Sequence, residues 1–199
     1  MSQRKNRMLR LGAVSGIVTP VLAFTCILLA IASYPAFSWI NNALSDLGVV
    51  RGVTGPLFNF GLYSSGFFAL SFAVFGLYNY LGEIWVGKVG VAAFAATGLA
   101  LVGIGFFPEN IIPNHYLFSV AFFILLPISL LVITATFALS HQTKMALFTF
   151  AIPVVAALPW ILYFSVHYFT GVAIPEAVSG LAGGVWVVVF GYKILRTGS

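Results

Sequence analysis

Six apolar runs, each long enough to cross a bilayer, constrain this chain more than any other feature. They read as Leu11–Ala32, Pro56–Leu81, Val86–Phe107, His115–Leu139, Met145–Phe169 and Ala173–Leu195. A helix rises about 1.5 Å per residue, so about 20 apolar residues span the hydrocarbon layer. The backbone can be satisfied in lipid only as helices or as a closed barrel. Barrel strands alternate apolar and polar residues, whereas these runs are continuous, so helices are expected. Charged residues make up only 7% of the 199, too few to cover a water-facing surface. The predicted fold class is therefore all-α: a six-helix transmembrane bundle forming one integral membrane domain over residues 1–199.

Charge placement sets the expected orientation. The net charge is +5, which in a soluble chain would suggest nucleic acid or another anionic partner. Here the basic residues flank apolar runs and form no basic groove, so no nucleic-acid partner is expected. With the N-terminus in the cytoplasm, Arg4, Lys5, Arg7, Arg10, Lys88, Lys144, Lys193 and Arg196 lie inside, and Arg51 alone lies outside. This asymmetry predicts both termini on the cytoplasmic side of a cell membrane. The first run, with its basic start and Ala30-Ile31-Ala32, has elements of a secretory signal. Its length exceeds a signal core of about 7–15 residues, so an uncleaved helix is expected. Cys26 lies within that run and has no partner cysteine, which suits a buried structural thiol.

The connections are short except for Ser33 to Gly55. Short connections predict antiparallel neighbours. The long one mixes boundary aromatics (Tyr34, Phe37, Trp39), a polar group (Asn41, Asn42, Ser45, Asp46) and apolar residues (Ile40, Ala43, Leu44, Leu47). That mixture predicts a segment ordered against the bundle. Pro20, Pro127, Pro153 and Pro159 are expected to kink their helices. Gly12-xxx-Gly16 and Gly180-xxx-Gly184 permit close helix approach.

The chain holds only four acidic residues and three histidines. Glu83 and His141 fall in connections at the basic end and read as solvated loop residues. The other five, Asp46, Glu109, His115, His167 and Glu176, are all expected at the opposite end. Charges near lipid tend to face a bundle interior or a cavity. His115 and His167, with one or two carboxylates, have the composition of a zinc site with room for activated water. The competing reading is a satisfied polar network, with Glu176 placed favourably at a helix N-terminus after Pro175. No HExxH or HxxxH spacing is present. Haem ligation by the two histidines lacks any CxxCH attachment motif, and Ser45, Asp46 and His115 supply a serine triad only by residue type.

Asn42-Ala43-Leu44-Ser45-Asp46-Leu47-Gly48, followed by Phe58-Asn59-Phe60-Gly61, resembles the membrane family called DUF998. Members are similar in having about six crossings, a Ser-x-Leu-Gly segment after the first helix and an Asn opening the second. A Phe-Pro turn precedes a histidine on the fourth helix, here Phe107-Pro108 and His115, and a carboxylate opens the last, here Glu176. The resemblance covers about Gly12 to Tyr192. It is distantly similar to the Frag1/DRAM/Sfk1 proteins, which implies an association with membrane lipid.

Together these readings give the expected function: a membrane protein binding a lipid headgroup or small amphiphile through Asn42, Ser45, Asp46, Asn59, Glu109 and Glu176. The alternative is a zinc-type membrane hydrolase using the same pocket with His115 and His167 as ligands. A third possibility is an accessory helical bundle. Transport is disfavoured because the ionisable groups gather at one end instead of along a pathway. The sequence does not fix the oligomeric state.

Overall fold

The computed structural model describes residues 3–167 and 169–197, without the side chains of Arg4 and Thr197. Within them are six long apolar helices: α1 (Gln3–Ala32), α2 (Thr54–Leu81), α3 (Trp85–Phe106), α4 (Asn114–Leu139), α5 (Thr143–Val166) and α6 (Ala173–Thr197). All six are long and apolar enough to cross a membrane. Five helix starts lie within about two residues of the apolar runs, as expected when lipid sets helix length. The exception is α1, which begins eight residues before its run. Its leading Gln3, Arg4, Lys5, Arg7 and Met8 are good helix formers, so the helix continues past the apolar stretch.

Each helix packs on its neighbours in sequence, and α6 closes the ring by packing on α1. Small residues permit the closest crossings. A Cβ on Gly12 would collide with the backbone of Gly76 on α2, and one on Gly184 would lie 2.8 Å from Pro20 Cβ. Opposite Gly12, residues Phe72–Leu77 of α2 loosen into a π-helical turn, the kind of local irregularity that bends a helix. α5 is held to α6 by two indole donors. Trp160 Nε1 donates to Ser179 Oγ at 3.0 Å, and Trp186 Nε1 donates to Thr149 Oγ1 at 3.0 Å. Both bonds satisfy groups that lipid could not.

Two apolar clusters stack along the bundle axis. Towards the termini, Phe72, Phe94, Phe137, Trp186 and Phe190 interlock, with Trp186 and Phe190 stacked at 5.2 Å. Edge-on contacts of Phe72 with Phe94 and Trp186 complete the knot. At the other end, Ile27, Leu44, Leu47, Phe58, Leu62 and Ile104 form the second cluster. Leu44 and Leu47 belong to the long connection, so this segment is part of the core. Leu47 is completely buried.

Candidate functional site

The polar end of the bundle is built by the α1–α2 connection folding against the start of α6. A short 3₁₀ turn over Ser45–Val49 brings Asp46 back towards its own backbone. Asp46 accepts from Asn42 Nδ2 at 2.6 Å and from the Ala43 N–H at 3.0 Å. Asn42 in turn accepts from the Ser38 N–H through Oδ1 at 2.9 Å, so the amide is oriented at both ends. The Ala173 N–H donates to Asn42 O at 2.9 Å, and the Gly171 N–H donates to Ile40 O at 2.8 Å. Gly171 is the residue this junction requires: a Cβ there would strike the Asn42 carbonyl. Finally the Leu44 N–H donates to Glu176 Oε2 at 2.6 Å. These bonds pair backbone groups that a buried loop would otherwise leave orphaned.

Asn59 plays a structural part. Its Nδ2 donates to Gly48 O at 2.9 Å, anchoring the 3₁₀ turn to α2, while its buried Oδ1 has no hydrogen-bond partner among the described residues. A side chain at Gly48 would press on that oxygen at 2.7 Å.

Three carboxyl groups meet here. Glu109, in the α3–α4 connection, lies close enough to Asp46 for the two carboxyl groups to interact. Two carboxyl groups this close can hydrogen-bond to each other only when one carries a proton. Burial first, and then the Asp46 contact, push the Glu109 carboxyl up to about 7 from its ordinary 4.5. Glu176 lies within the electrostatic reach of both. No ion pair to any of the three occurs among the described residues, so the oxygens of this group meet no cation at the edge of the apolar bundle.

Below this group lies a cavity of about 120 Å³, between the two apolar clusters. A single water needs about 10–15 Å³, and engineered apolar cavities of about 150 Å³ take up benzene. Its walls come from α1, α2, α3, α4 and α6 together with Leu44 and Ser45. Glu176 is the one ionisable residue among the lining residues. Of the polar residues, Thr19 and Thr97 donate to carbonyls of their own helices, Ser15 and Ala93. Ser45, Ser119 and Glu176 therefore supply the chemistry, all from the connection-rich end. The lining is otherwise apolar and aromatic, with Phe24, Phe58, Phe94, Phe122 and Phe123 contributing.

The two histidines part company. His115 is buried, with Nδ1 2.7 Å from Phe107 O and Nε2 3.3 Å from Ser119 Oγ. His167 ends α5 in the left-handed conformation (φ 54°), is exposed, and lies beside Tyr163 with ring centroids 6.4 Å apart. No group of three or more His, Cys, Asp or Glu residues able to hold a metal is assembled among the described residues. The expected His115–His167–carboxylate set is thus not gathered. His115 is buried on α4, while His167, the αL residue that follows α5, is exposed. Asn42, Ser45, Asp46, Asn59, Glu109 and Glu176 do share one end of the fold. Ser119 was not among the expected residues, although its spacing of four from His115 places the two on one helix face.

A family model, described as a protein of unknown function (DUF998), matches residues 17–193. The chain belongs to the DUF998 family. The match runs from the middle of α1 to the last turns of α6, so it covers the polar end and the cavity together. Neither a curated protein nor a solved structure matches it. For this DUF998 member the family therefore supports a six-helix membrane protein, and its chemistry rests on the site geometry.

Proposed function

We propose that this DUF998 protein binds a membrane amphiphile, with the first few carbons of its apolar chain in the central cavity and an amine-bearing head at the carboxyl group cluster. The observation carrying this reading is the cavity whose apolar lining ends at Glu176. An apolar pocket with a few convergent polar groups is the usual form of a small-molecule site. The head is argued from charge. Asp46, Glu109 and Glu176 offer acceptor oxygens without a neutralising ion pair among the described residues, so a cationic donor complements them. Orientation enters the same proposal: with the basic residues near the termini facing the cytoplasm, the site opens on the outer leaflet of the cell membrane.

The test uses the protein in phosphatidylcholine nanodiscs with dodecylamine, dodecanol or dodecyl sulfate added. Dodecylamine is expected to raise the unfolding temperature, by an amount equivalent to about 2.7 kcal/mol at about 100 Kd. Dodecyl sulfate is expected not to stabilise, and Glu176→Gln is expected to weaken the response to dodecylamine. Equal stabilisation by the amine and the sulfate would overturn the reading of the head. No stabilisation by any of the three would overturn the site.

A further inference from the structure

We infer that Ser119 is a nucleophile activated by His115, and that it accepts the acyl group of an amino-alcohol ester whose chain lies in the cavity. This rests on the amphiphile-binding reading above and adds a reaction to it.

The Phe107 carbonyl can only accept, so in the neutral His115 ring its 2.7 Å contact fixes the proton on Nδ1. Nε2 is then a lone pair, and the Ser119 hydroxyl 3.3 Å away is the donor. A serine, a histidine and a third group orienting the histidine form the signature of base-assisted nucleophilic catalysis, with contacts often looser before substrate binds. The carbonyl of Phe107 takes the orienting role usually given to a carboxylate. A serine hydroxyl in a helix commonly bonds the carbonyl four residues back. Ser119 instead meets the side chain four residues back.

Ser119, Phe122, Phe123 and Leu126 all line the cavity, at the i, i+3, i+4 and i+7 spacing of one helix face. The hydroxyl therefore stands at the top of an apolar stripe about 10 Å long, with room below for the first few carbons of an acyl chain. At the same end, Ser45 is 8% exposed and lines the cavity, and no hydrogen bond engages its hydroxyl among the described residues. Its hydroxyl is a donor available to charge developing on an ester oxygen.

The step balances. Ser119 Oγ bonds to the ester carbonyl carbon as its proton passes to His115 Nε2. The bond from that carbon to the alcohol oxygen then breaks, and the alcohol leaves with the proton from Nε2. Water releases the acyl group as a carboxylic acid, giving its proton to Nε2, which returns it to Ser119 Oγ.

The experiment treats the protein in phosphatidylcholine nanodiscs with octyl fluorophosphonate, a serine-directed reagent carrying an alkyl chain. Mass spectrometry then locates the adduct. We expect one adduct on Ser119 in the unaltered protein, none in Ser119→Ala, and labelling slower by about 100-fold or more in His115→Gln. No adduct in the unaltered protein, an adduct elsewhere, or an unchanged rate in His115→Gln would overturn the inference. Ser119 is only half-buried, so its alanine variant decides the question even if His115→Gln folds poorly. Dodecylamine stabilisation is measured on the same samples. If it persists without labelling, the nucleophile fails and the binding site stands; if both are lost, the cavity reading fails with it.

Discussion

The backbone N–H of Leu44 donates to Glu176 Oε2 at 2.6 Å, across 132 residues of sequence. This bond joins the α1–α2 connection to the first turn of α6 and sets the carboxyl at the cavity's edge. It makes Glu176 both a structural anchor and a site residue. The two roles can be separated by substitution.

Glu176→Ala removes the acceptor and leaves the Leu44 N–H buried without a partner, a loss of about 1–3 kcal/mol. Glu176→Gln retains an amide oxygen for that N–H and is expected to cost less than half as much. Unfolding in mixed micelles, followed by circular dichroism against increasing denaturing detergent, compares the two. Equal losses would mean that the hydrogen bond contributes little.

Glu109 predicts a pH dependence. Its carboxyl is raised to about 7 in the folded protein from an ordinary 4.5, by burial and by Asp46. Between these values the folded state holds more protons than the unfolded state, so stability falls as pH rises from about 4.5 to about 7. Glu109→Gln is expected to flatten this fall while leaving the slope outside the window unchanged. Unfolding temperatures measured from pH 4 to pH 8, for both proteins, provide the check.

Close packing of α1 on α2 gives a third expectation. A Cβ on Gly12 would overlap the backbone of Gly76, which has no flexible end to swing aside. Gly12→Ala should therefore destabilise by about 1–3 kcal/mol. Gly52→Ala is a control of a different kind: it has open space but a φ of 86°, so its cost is conformational. A Gly12→Ala variant as stable as the unaltered protein would show that α1 shifts freely along α2.

The helices were legible because lipid imposes one requirement, length, that apolar runs display directly. The start of α1 was not, since its basic leading turns are helical without being apolar. The grouping of Asp46, Glu109 and Glu176 could be anticipated from connection order alone, because each belongs to the same end of an antiparallel bundle. The burial of His115 and the exposure of His167 could not. They depend on helix rotation and on the left-handed residue at the end of α5, and sequences apolar on every face carry little signal of either. The cavity escaped for the same reason: whether Ser119, Phe122 and Leu126 face the axis or the lipid is decided by packing. The π-helical turn over Phe72–Leu77 had no sequence signal that separates it from ordinary helix.

Orientation is the last expectation, and every proposal about the site's access depends on it. Eight basic residues stand near the termini and the two short connections at that end, against Arg51 at the other. That bias should place both termini in the cytoplasm, and the α3–α4 connection outside. Cys26 is buried, so introduced cysteines at Asn110 and Gln142 can be read against little background. Asn110 is exposed beside Glu109, and Gln142 lies between α4 and α5. A membrane-impermeant maleimide applied to intact cells is expected to label Asn110→Cys, and to reach Gln142→Cys only after permeabilisation. The reverse pattern would turn the carboxyl cluster towards the cytoplasm. The amphiphile would then enter from the inner leaflet, with the geometry of Ser119, His115 and the cavity unchanged.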